Sequence, residues 1–323
     1  MIGYTFKVYL SKSKEHFAFG ETEIASSPLT EKDSPFAESL LRLSDLNIWE
    51  YEPLMKDMEQ ALLRFYRTKK PQDAKTILTG LDQLAAVHIY FELLRLDWKF
   101  RLERAEKVDG TALLDLLPRK NLTHIPSNID AIQKQIIRLF QNVLLDRDDV
   151  KKPIPDRMAA YYCREGSDTL NTFQFQALPL KFELVDSHTF TEILYPETVY
   201  DLIDYSVREC VKRKQRMRIC KNCGRYFALT GRNTAEYCGR VIDEKGRTCR
   251  DMGAIYHWTK SKADDKIFAV YRREYKRRFA WIKAGKISAE ELYAWGEKAR
   301  AKKVECDDGT ISLEEYQDWL KNS

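Results

Sequence analysis

The sequence predicts an α+β protein: a mostly helical amino-terminal domain with a small antiparallel sheet, then a four-cysteine module, then a helical carboxy-terminal segment. Three observations predict this class. Apolar and polar residues alternate near the amino terminus and again over residues 171–195, which is the period of half-buried strands. Between these stretches, apolar residues recur at helical spacing. Four of the seven cysteines fall within residues 220–249.

The amino-terminal stretch predicts a short hairpin. Apolar side chains at every second position predict a strand over residues 4–10, and Phe17 and Phe19 mark a returning strand. Residues 21–35 are polar and contain Ser and Pro, so they predict a loop.

Three helices are predicted next. The first carries apolar residues from Leu54 to Tyr66, and the others cover residues 73–106 and 128–145. His88 lies on the apolar stripe of the second helix. A lone histidine in that position is more often a core residue with its hydrogen bonds made than a ligand, so we assign it no role.

The chain then returns to β periodicity. The acidic residues of 146–149 are interpreted as a solvated stretch, and residues 150–167, with two prolines, as a linker or surface loop. Residues 171–195 predict an antiparallel sheet that includes the amino-terminal hairpin. A helix is predicted from Pro196 to about Lys214, with Cys210 as a core thiol.

The cysteines Cys220, Cys223, Cys238 and Cys249 predict a structural zinc site. Their spacing is C-x2-C, fourteen residues, a third Cys, ten residues and a fourth. Two thiolates two residues apart reach one ion from a tight turn, and Gly224 supplies the backbone freedom for that turn. Four thiolates leave no coordination position for a substrate, so Zn²⁺ would stabilise the fold. The order of turn, hairpin and a helix opening at Cys249 predicts a treble-clef-like zinc finger.

Other readings of the cysteines are weaker. A redox C-x-x-C expects a thioredoxin-like βαβ context, which this sequence does not predict. A disulfide is disfavoured because the chain shows no signal peptide and no span of apolar residues, so we expect a cytoplasmic protein with reduced thiols and no membrane partner. His257 is kept as an alternative ligand.

Charge is distributed unevenly over three predicted domains, 1–205, 206–262 and 263–323. Residues 206–285 carry 22 Lys and Arg against 8 Asp and Glu, whereas residues 1–205 carry 26 against 32. A positive block centred on a zinc module is typical of a protein that binds a polyanion.

The carboxy-terminal segment predicts a basic helix over residues 263–284, ended by Gly285, and two further helices. Capping boxes begin these two, at Ser288 with Glu291 and at Ser312 with Glu315. The acidic run from Asp307 to Glu315 does not fit a calcium loop, because Val304 and Cys306 would fall where carboxylates should ligate.

Residues 216–252 resemble the CGNR-type zinc fingers of bacterial regulators. The shared features are the C-x2-C pair, Phe227, Arg232, the pair Tyr237-Cys238, and Cys249 followed by Arg250, although Cys249-Arg250-Asp251-Met252 stands in place of the diagnostic tetrapeptide. Most of the chain also resembles an uncharacterised family of Gram-positive bacterial and mobile-element proteins. The shared features are the helical amino-terminal half, this finger, the basic helix and the turn Gly285-Lys286-Ile287-Ser288. The first resemblance implies a nucleic-acid-binding regulator, and the second implies no known activity.

The sequence therefore predicts a zinc-dependent nucleic-acid-binding protein, with DNA expected rather than RNA and a protein partner or ligand for the amino-terminal domain. Basic residues before and within the zinc module, and on the basic helix, are the predicted phosphate contacts. They are Lys212, Arg213, Lys214, Arg216, Arg218, Lys221, Arg225, Arg232, Arg272, Arg273, Lys276, Arg277 and Arg278.

Two alternatives stay open. The zinc finger can be a structural or protein–protein interaction module, because treble clefs serve both roles and a fold does not fix function. An enzyme is the weakest hypothesis, because the five His residues are scattered and no nucleophile–base pair stands at a recognisable spacing. We therefore assign no catalytic residue.

Overall fold

The α+β class is confirmed by the computed structural model. It describes residues 3–22, 28–146, 152–185, 187–231, 234–253, 255 and 265–323. The described chain forms two compact units. Unit 1 comprises Met1–Ile219 and Arg225–Ala235, and unit 2 comprises Cys220–Gly224 and Glu236–Ser323.

Unit 1 contains one five-stranded antiparallel sheet in the order β3-β2-β1-β5-β4. The predicted hairpin is confirmed, with Phe6 opposite Phe19 and Val8 opposite Phe17. These four side chains lie on one face of the sheet and are buried. The strands are β1 (Tyr4–Leu10), β2 (Lys14–Glu21), β3 (Thr30–Pro35), β4 (Leu180–Leu184) and β5 (Phe190–Leu194).

Helices form the rest of the unit 1 core. They are α1 (Glu38–Asp45), a 3-10 turn (Ile48–Tyr51), α2 (Glu52–Thr68), α3 (Pro71–Val87), α4 (Tyr90–Ala105), α5 (Gly110–Leu116), α6 (Lys120–Thr123), α7 (Ile125–Leu139) with a π turn (Phe140–Leu144), α8 (Ile154–Glu165) and α9 (Val199–Lys212). A short hairpin of β6 (Met217–Ile219) and β7 (Tyr226–Ala228) completes the unit. Their apolar faces share one large cluster of buried side chains.

Four local predictions were wrong. The loop predicted over residues 21–35 contains β3, and the loop predicted over 150–167 contains α8, where Pro155 stands in the first turn, as helices tolerate. The helix predicted over 73–106 is two helices, because the backbone is extended at His88. Residues 173–177 alternate in polarity yet form no strand.

The prediction that His88 is a core residue with its hydrogen bonds made is confirmed. Its Nε2 lies 2.9 Å from the Ser39 carbonyl oxygen, and its Nδ1 accepts from the Tyr90 N–H at 3.2 Å. Cys210 is likewise fully buried, as predicted. Burial lowers the pKa of His88 to about 4, because the charged imidazolium would have to leave water.

Unit 2 carries the cysteine module and three carboxy-terminal helices. A helix begins at Cys249, as predicted, and covers residues 249–253 (α10). The later helices are α11 (Lys266–Lys283), α12 (Ala289–Asp307) and α13 (Leu313–Asn322). Both predicted capping boxes are confirmed, and Gly285 follows α11 with φ of 66°. A separate apolar cluster that includes Leu292, Trp295 and Tyr316 holds these helices together.

Candidate metal centre and basic residues

The four predicted cysteine ligands come together in unit 2. Their Sγ atoms all lie within 4.8 Å of one another, and the Cys223 and Cys238 sulfurs are 3.7 Å apart. Sulfurs at the corners of a tetrahedron with metal–sulfur bonds of about 2.3 Å stand about 3.8 Å apart. All four are free thiols, far outside disulfide length. The donor set therefore fits a tetrahedral metal ion.

The first ligand pair lies in the turn 220–224, which joins β6 to β7 along the chain. Gly224 has φ of 72°, a left-handed conformation that glycine adopts at little cost, and its N–H donates to the Cys220 carbonyl at 2.9 Å. The predicted role of Gly224 is thereby confirmed. This turn places the Cys220 and Cys223 sulfurs on the same side.

The second ligand pair is held by an ordered segment. The Lys221 N–H donates to the Glu236 carbonyl and so holds the backbone two residues before Cys238 against the turn that carries the first ligand pair. The Cys249 N–H donates to the Arg240 carbonyl at 2.9 Å. Between them, Asp243 accepts from the N–H groups of Lys245 and Arg247 in a tight turn. Hydrogen bonds thus hold the segment between Cys238 and Cys249 at its central turn and near its carboxy-terminal end.

Hydrogen bonds and charge also favour a bound cation. Burial raises the pKa of the Cys220 thiol, but N–H donors from Cys223, Cys238 and Asn222 outweigh burial and lower it to about 7. Burial raises the pKa of Cys238 to about 12, and its contacts with the neighbouring thiols add to this rise. Four adjacent thiolates repel one another, and a dication removes that cost. The Asn222 side-chain amide donates to the Cys249 sulfur at 3.4 Å, a contact that the spacing alone does not reveal.

Several basic residues before the module are engaged within unit 1. Arg216 Nη1 lies 3.0 Å from Asp146 Oδ1, and Arg218 pairs with the other carboxylate oxygen. Burial opposes ionisation of Asp146, yet the two guanidinium groups lower its pKa. Interpreting Asp146 as solvated was therefore wrong. Residues 147–149 lie outside the described residues.

Arg213 is also tied to unit 1. Its guanidinium donates to the carbonyls of Leu10 and Ser11, pairs with Glu209, and lies 4.6 Å from the Phe36 ring centroid. Lys212 pairs with the same glutamate at 2.9 Å. By contrast, the exposed side chains of Lys214 and Arg225 have no hydrogen-bond or ion-pair partner among the described residues. Part of the positive charge before the module thus stabilises unit 1.

In unit 2, α11 carries most of the remaining predicted phosphate contacts. It contains seven Lys and Arg against one acid, Glu274, which is buried. Within the described part of the chain, Arg272, Arg273 and Lys276 are exposed and have no hydrogen-bond or ion-pair partner. The exposed rings of Tyr275 and Phe279 lie on the same helix.

The other predicted contacts have partners or lie outside the described residues. Arg277 pairs with Glu274, and Lys221 pairs with Glu236, both at 2.5 Å. Arg278 is buried and donates to the carbonyls of Leu320 and Ser323, so we remove it from the predicted phosphate contacts. Arg232 and the alternative ligand His257 fall outside the described residues.

Residues 177–321 match a family model described as a family of unknown function (DUF6076). Searches of curated proteins and of solved structures gave no significant match. Within the described ranges, no helix is both long enough and apolar enough to cross a membrane. The matched segment contains all four cysteines and α11.

Proposed function

We propose that this chain is a zinc-dependent nucleic-acid-binding protein, of the regulator type that its cysteine module resembles, in which zinc has a structural role. Cys220, Cys223, Cys238 and Cys249 would hold the ion. With four thiolates the coordination shell is closed, so the ion would stabilise the module and would not activate a substrate. The proposed role is therefore non-enzymatic.

One observation carries the nucleic-acid part of the proposal: the exposed face of α11. Arg272, Arg273 and Lys276 extend cationic side chains that have no partner among the described residues, and Tyr275 and Phe279 expose aromatic rings on the same helix. Cations contact phosphates, and aromatic rings stack on unpaired bases. Lys214 and Arg225 in unit 1 are candidate additional contacts. The proposal gives no sequence preference, because phosphate contacts carry none. DNA remains the expected nucleic acid.

Fluorescence anisotropy with labelled duplex DNA and single-stranded RNA tests the proposal at about 50 and 200 mM salt. An interface of about 6–10 phosphate contacts loses three to five decades of affinity over that range. The triple variant Arg272→Ala, Arg273→Ala, Lys276→Ala should bind more weakly, and the slope of log affinity against log salt should fall by about 2.7 for duplex DNA.

The matched control removes the same charge from exposed residues of unit 1, with Arg67→Ala, Lys70→Ala and Lys75→Ala. This variant should keep most of the wild-type affinity and slope if the contact is local to α11. Equal losses in the two triple variants would mean that only net charge matters, and the α11 assignment would be withdrawn.

The second candidate is a protein–protein adaptor in which the cysteine module is structural. The pairing of Arg213, Arg216 and Arg218 inside unit 1 favours it, because these charges already have partners. Absence of binding to either nucleic acid at about 50 mM salt would select the adaptor.

A further inference from the structure

The outer edge of the unit 1 sheet exposes an apolar surface at β4. This strand reads Leu180-Lys181-Phe182-Glu183-Leu184, and among the strands that the structure describes it pairs only with β5, on one side. Phe182, Leu184 and Phe190 are 64%, 64% and 66% exposed, and they share one face of the sheet with Leu180. The ring centroids of Phe182 and Phe190 are 6.1 Å apart, so the patch is continuous.

The opposite edge of the same sheet is built differently. Strand β3 reads Thr-Glu-Lys-Asp-Ser-Pro, with three adjacent charged residues and a terminal proline. Charge and proline at an edge strand prevent pairing with another chain. Strand β4 has no proline, and its outward apolar side chains favour pairing. One edge of the sheet is thus protected against association and the other is not.

The backbone of β4 is oriented for a further strand. Val185 N–H donates to the Thr189 carbonyl, and Tyr195 N–H donates to the Pro179 carbonyl, both toward β5. Backbone groups alternate sides in an antiparallel ladder. The N–H and C=O groups of Phe182 and Leu184 therefore point to the outer edge. The Leu180 N–H is bonded to the Leu178 carbonyl, which leaves the Leu180 carbonyl for the edge.

We propose that β4 is a self-association edge, at which two copies of this chain pair their β4 strands antiparallel about a two-fold axis through Phe182. The sequence of β4 is complementary to itself in this register. Leu180 lies opposite Leu184 of the second copy, Phe182 opposite its own mate, and Lys181 opposite Glu183. Opposite charges directly across an antiparallel pair stabilise it, and like charges destabilise it.

This register also satisfies the backbone. Phe182 exchanges both of its hydrogen bonds with Phe182 of the second copy, and the Leu184 N–H donates to the Leu180 carbonyl across the axis. The exposed rings of both copies then meet on one face of a continuous sheet and lose contact with water. An isologous two-fold contact of this kind uses the same surface of both copies, so it gives a closed dimer and not a longer polymer.

Charge exchange tests the register in the full-length, zinc-loaded protein. Sedimentation equilibrium should show a reversible monomer–dimer equilibrium in the micromolar range. Lys181→Glu alone, or Glu183→Lys alone, sets like charges opposite each other at two symmetry-related pairs and should weaken the dimer about tenfold. The double variant Lys181→Glu, Glu183→Lys restores the complementarity and should recover most of the affinity.

Wild-type protein that stays monomeric at high micromolar concentration overturns the proposal. So does a dimer that neither single variant weakens, and so does a double variant whose dimer is as weak as those of the two single variants.

Tyr195→Phe is the local control, because the Tyr195 hydroxyl donates to Glu183 and its ring lies 4.7 Å from the Lys181 ammonium. The dimerisation constant of this variant should stay within about twofold of wild type.

Disulfide trapping gives an independent reading of the axis. Hydrogen-bonded antiparallel pairs have Cα atoms about 5.5 Å apart, which a disulfide spans. In a Cys163→Ser background, which removes an exposed native thiol, Phe182→Cys should give covalent dimers with oxidised glutathione. Leu184→Cys should not, because its mate lies about four residues away along the strand. Equal yields from the two variants would overturn the register.

Discussion

At the scale of single residues, Gly253 is a tightly constrained position in the cysteine module. A Cβ there would lie 2.3 Å from Cδ1 of the Tyr237 ring, immediately before Cys238. Gly253→Ala should therefore displace the ring and weaken metal retention, with an overpacking cost of about 1–3 kcal/mol. Competition with a zinc chelator measures the effect. Gly239→Ala is the control, because no atom of the described residues lies within 4 Å of its added methyl group.

His88 gives unit 1 a pH-dependent stability. The pKa of His88 in the folded protein is about 4, below the ordinary value of 6.5. Between these two pH values the unfolded chain binds a proton at His88 and the folded chain does not. The contribution of His88 to the free energy of unfolding is therefore fully present above pH 6.5 and decreases as the pH falls toward 4. At pH 5 the loss should be about 2 kcal/mol relative to pH 7.5.

Urea unfolding of wild type and His88→Asn at both pH values isolates this contribution, since other titrating groups cancel in the difference. The free energy of unfolding of the variant should change less between pH 7.5 and pH 5. An equal pH dependence in the two proteins would show that His88 is protonated in the folded state.

At the scale of elements, Arg278 joins α11 to the end of α13. Its guanidinium donates to the Leu320 and Ser323 carbonyls, pairs with Glu274, and lies 4.5 Å from the Trp295 ring centroid. Cations stabilise the carboxy-terminal end of a helix, where carbonyls lack partners. Arg278→Met leaves those carbonyls and Glu274 without that partner and should cost about 3 kcal/mol.

The measurement is thermal unfolding, and Arg272→Met is the matched control on the same helix. Arg272 is exposed, so this change should stay within about 0.5 kcal/mol of wild type. Similar losses in the two variants would mean that α11 responds to any removal of charge.

The sequence predicted elements best where local chemistry determines them. The spacing of the cysteines identified all four clustered thiols, and the capping boxes at Ser288 and Ser312 marked two helix starts, because these signals lie within a few residues. Strand β3 was missed because its charged residues are typical of a loop. Its residues adopt a strand because they pair with β2, which is a contact that local sequence does not reveal. Arg216 and Arg278 were predicted to contact phosphates because the sequence does not reveal their partners in the folded chain. Those partners, Asp146 and the carbonyls at the end of α13, are distant in sequence.

At the scale of the whole molecule, the two units depend on different sources of stability. Unit 1 has a large apolar core, from Phe6 in the sheet to Met217 in β6. In unit 2, α11, α12 and α13 share a smaller cluster around Trp295 and Tyr316. The segment 236–253 is short, and two of its buried side chains are the ligands Cys238 and Cys249. Its order should therefore depend on the metal.

Loss of the metal should accordingly unfold one segment and leave unit 1 intact. Structural zinc sites contribute about 10–16 kcal/mol of binding free energy, more than a segment of this size obtains from burial. In Cys249→Ser, amide hydrogen exchange should accelerate over residues 236–253 and stay slow in α2, α3 and α4. The matched control is Cys306→Ser, which changes a buried thiol outside the cage and should keep one zinc per chain. Slow exchange over 236–253 in a zinc-free Cys249→Ser protein would show that the segment folds without the ion, and zinc would lose its proposed structural role.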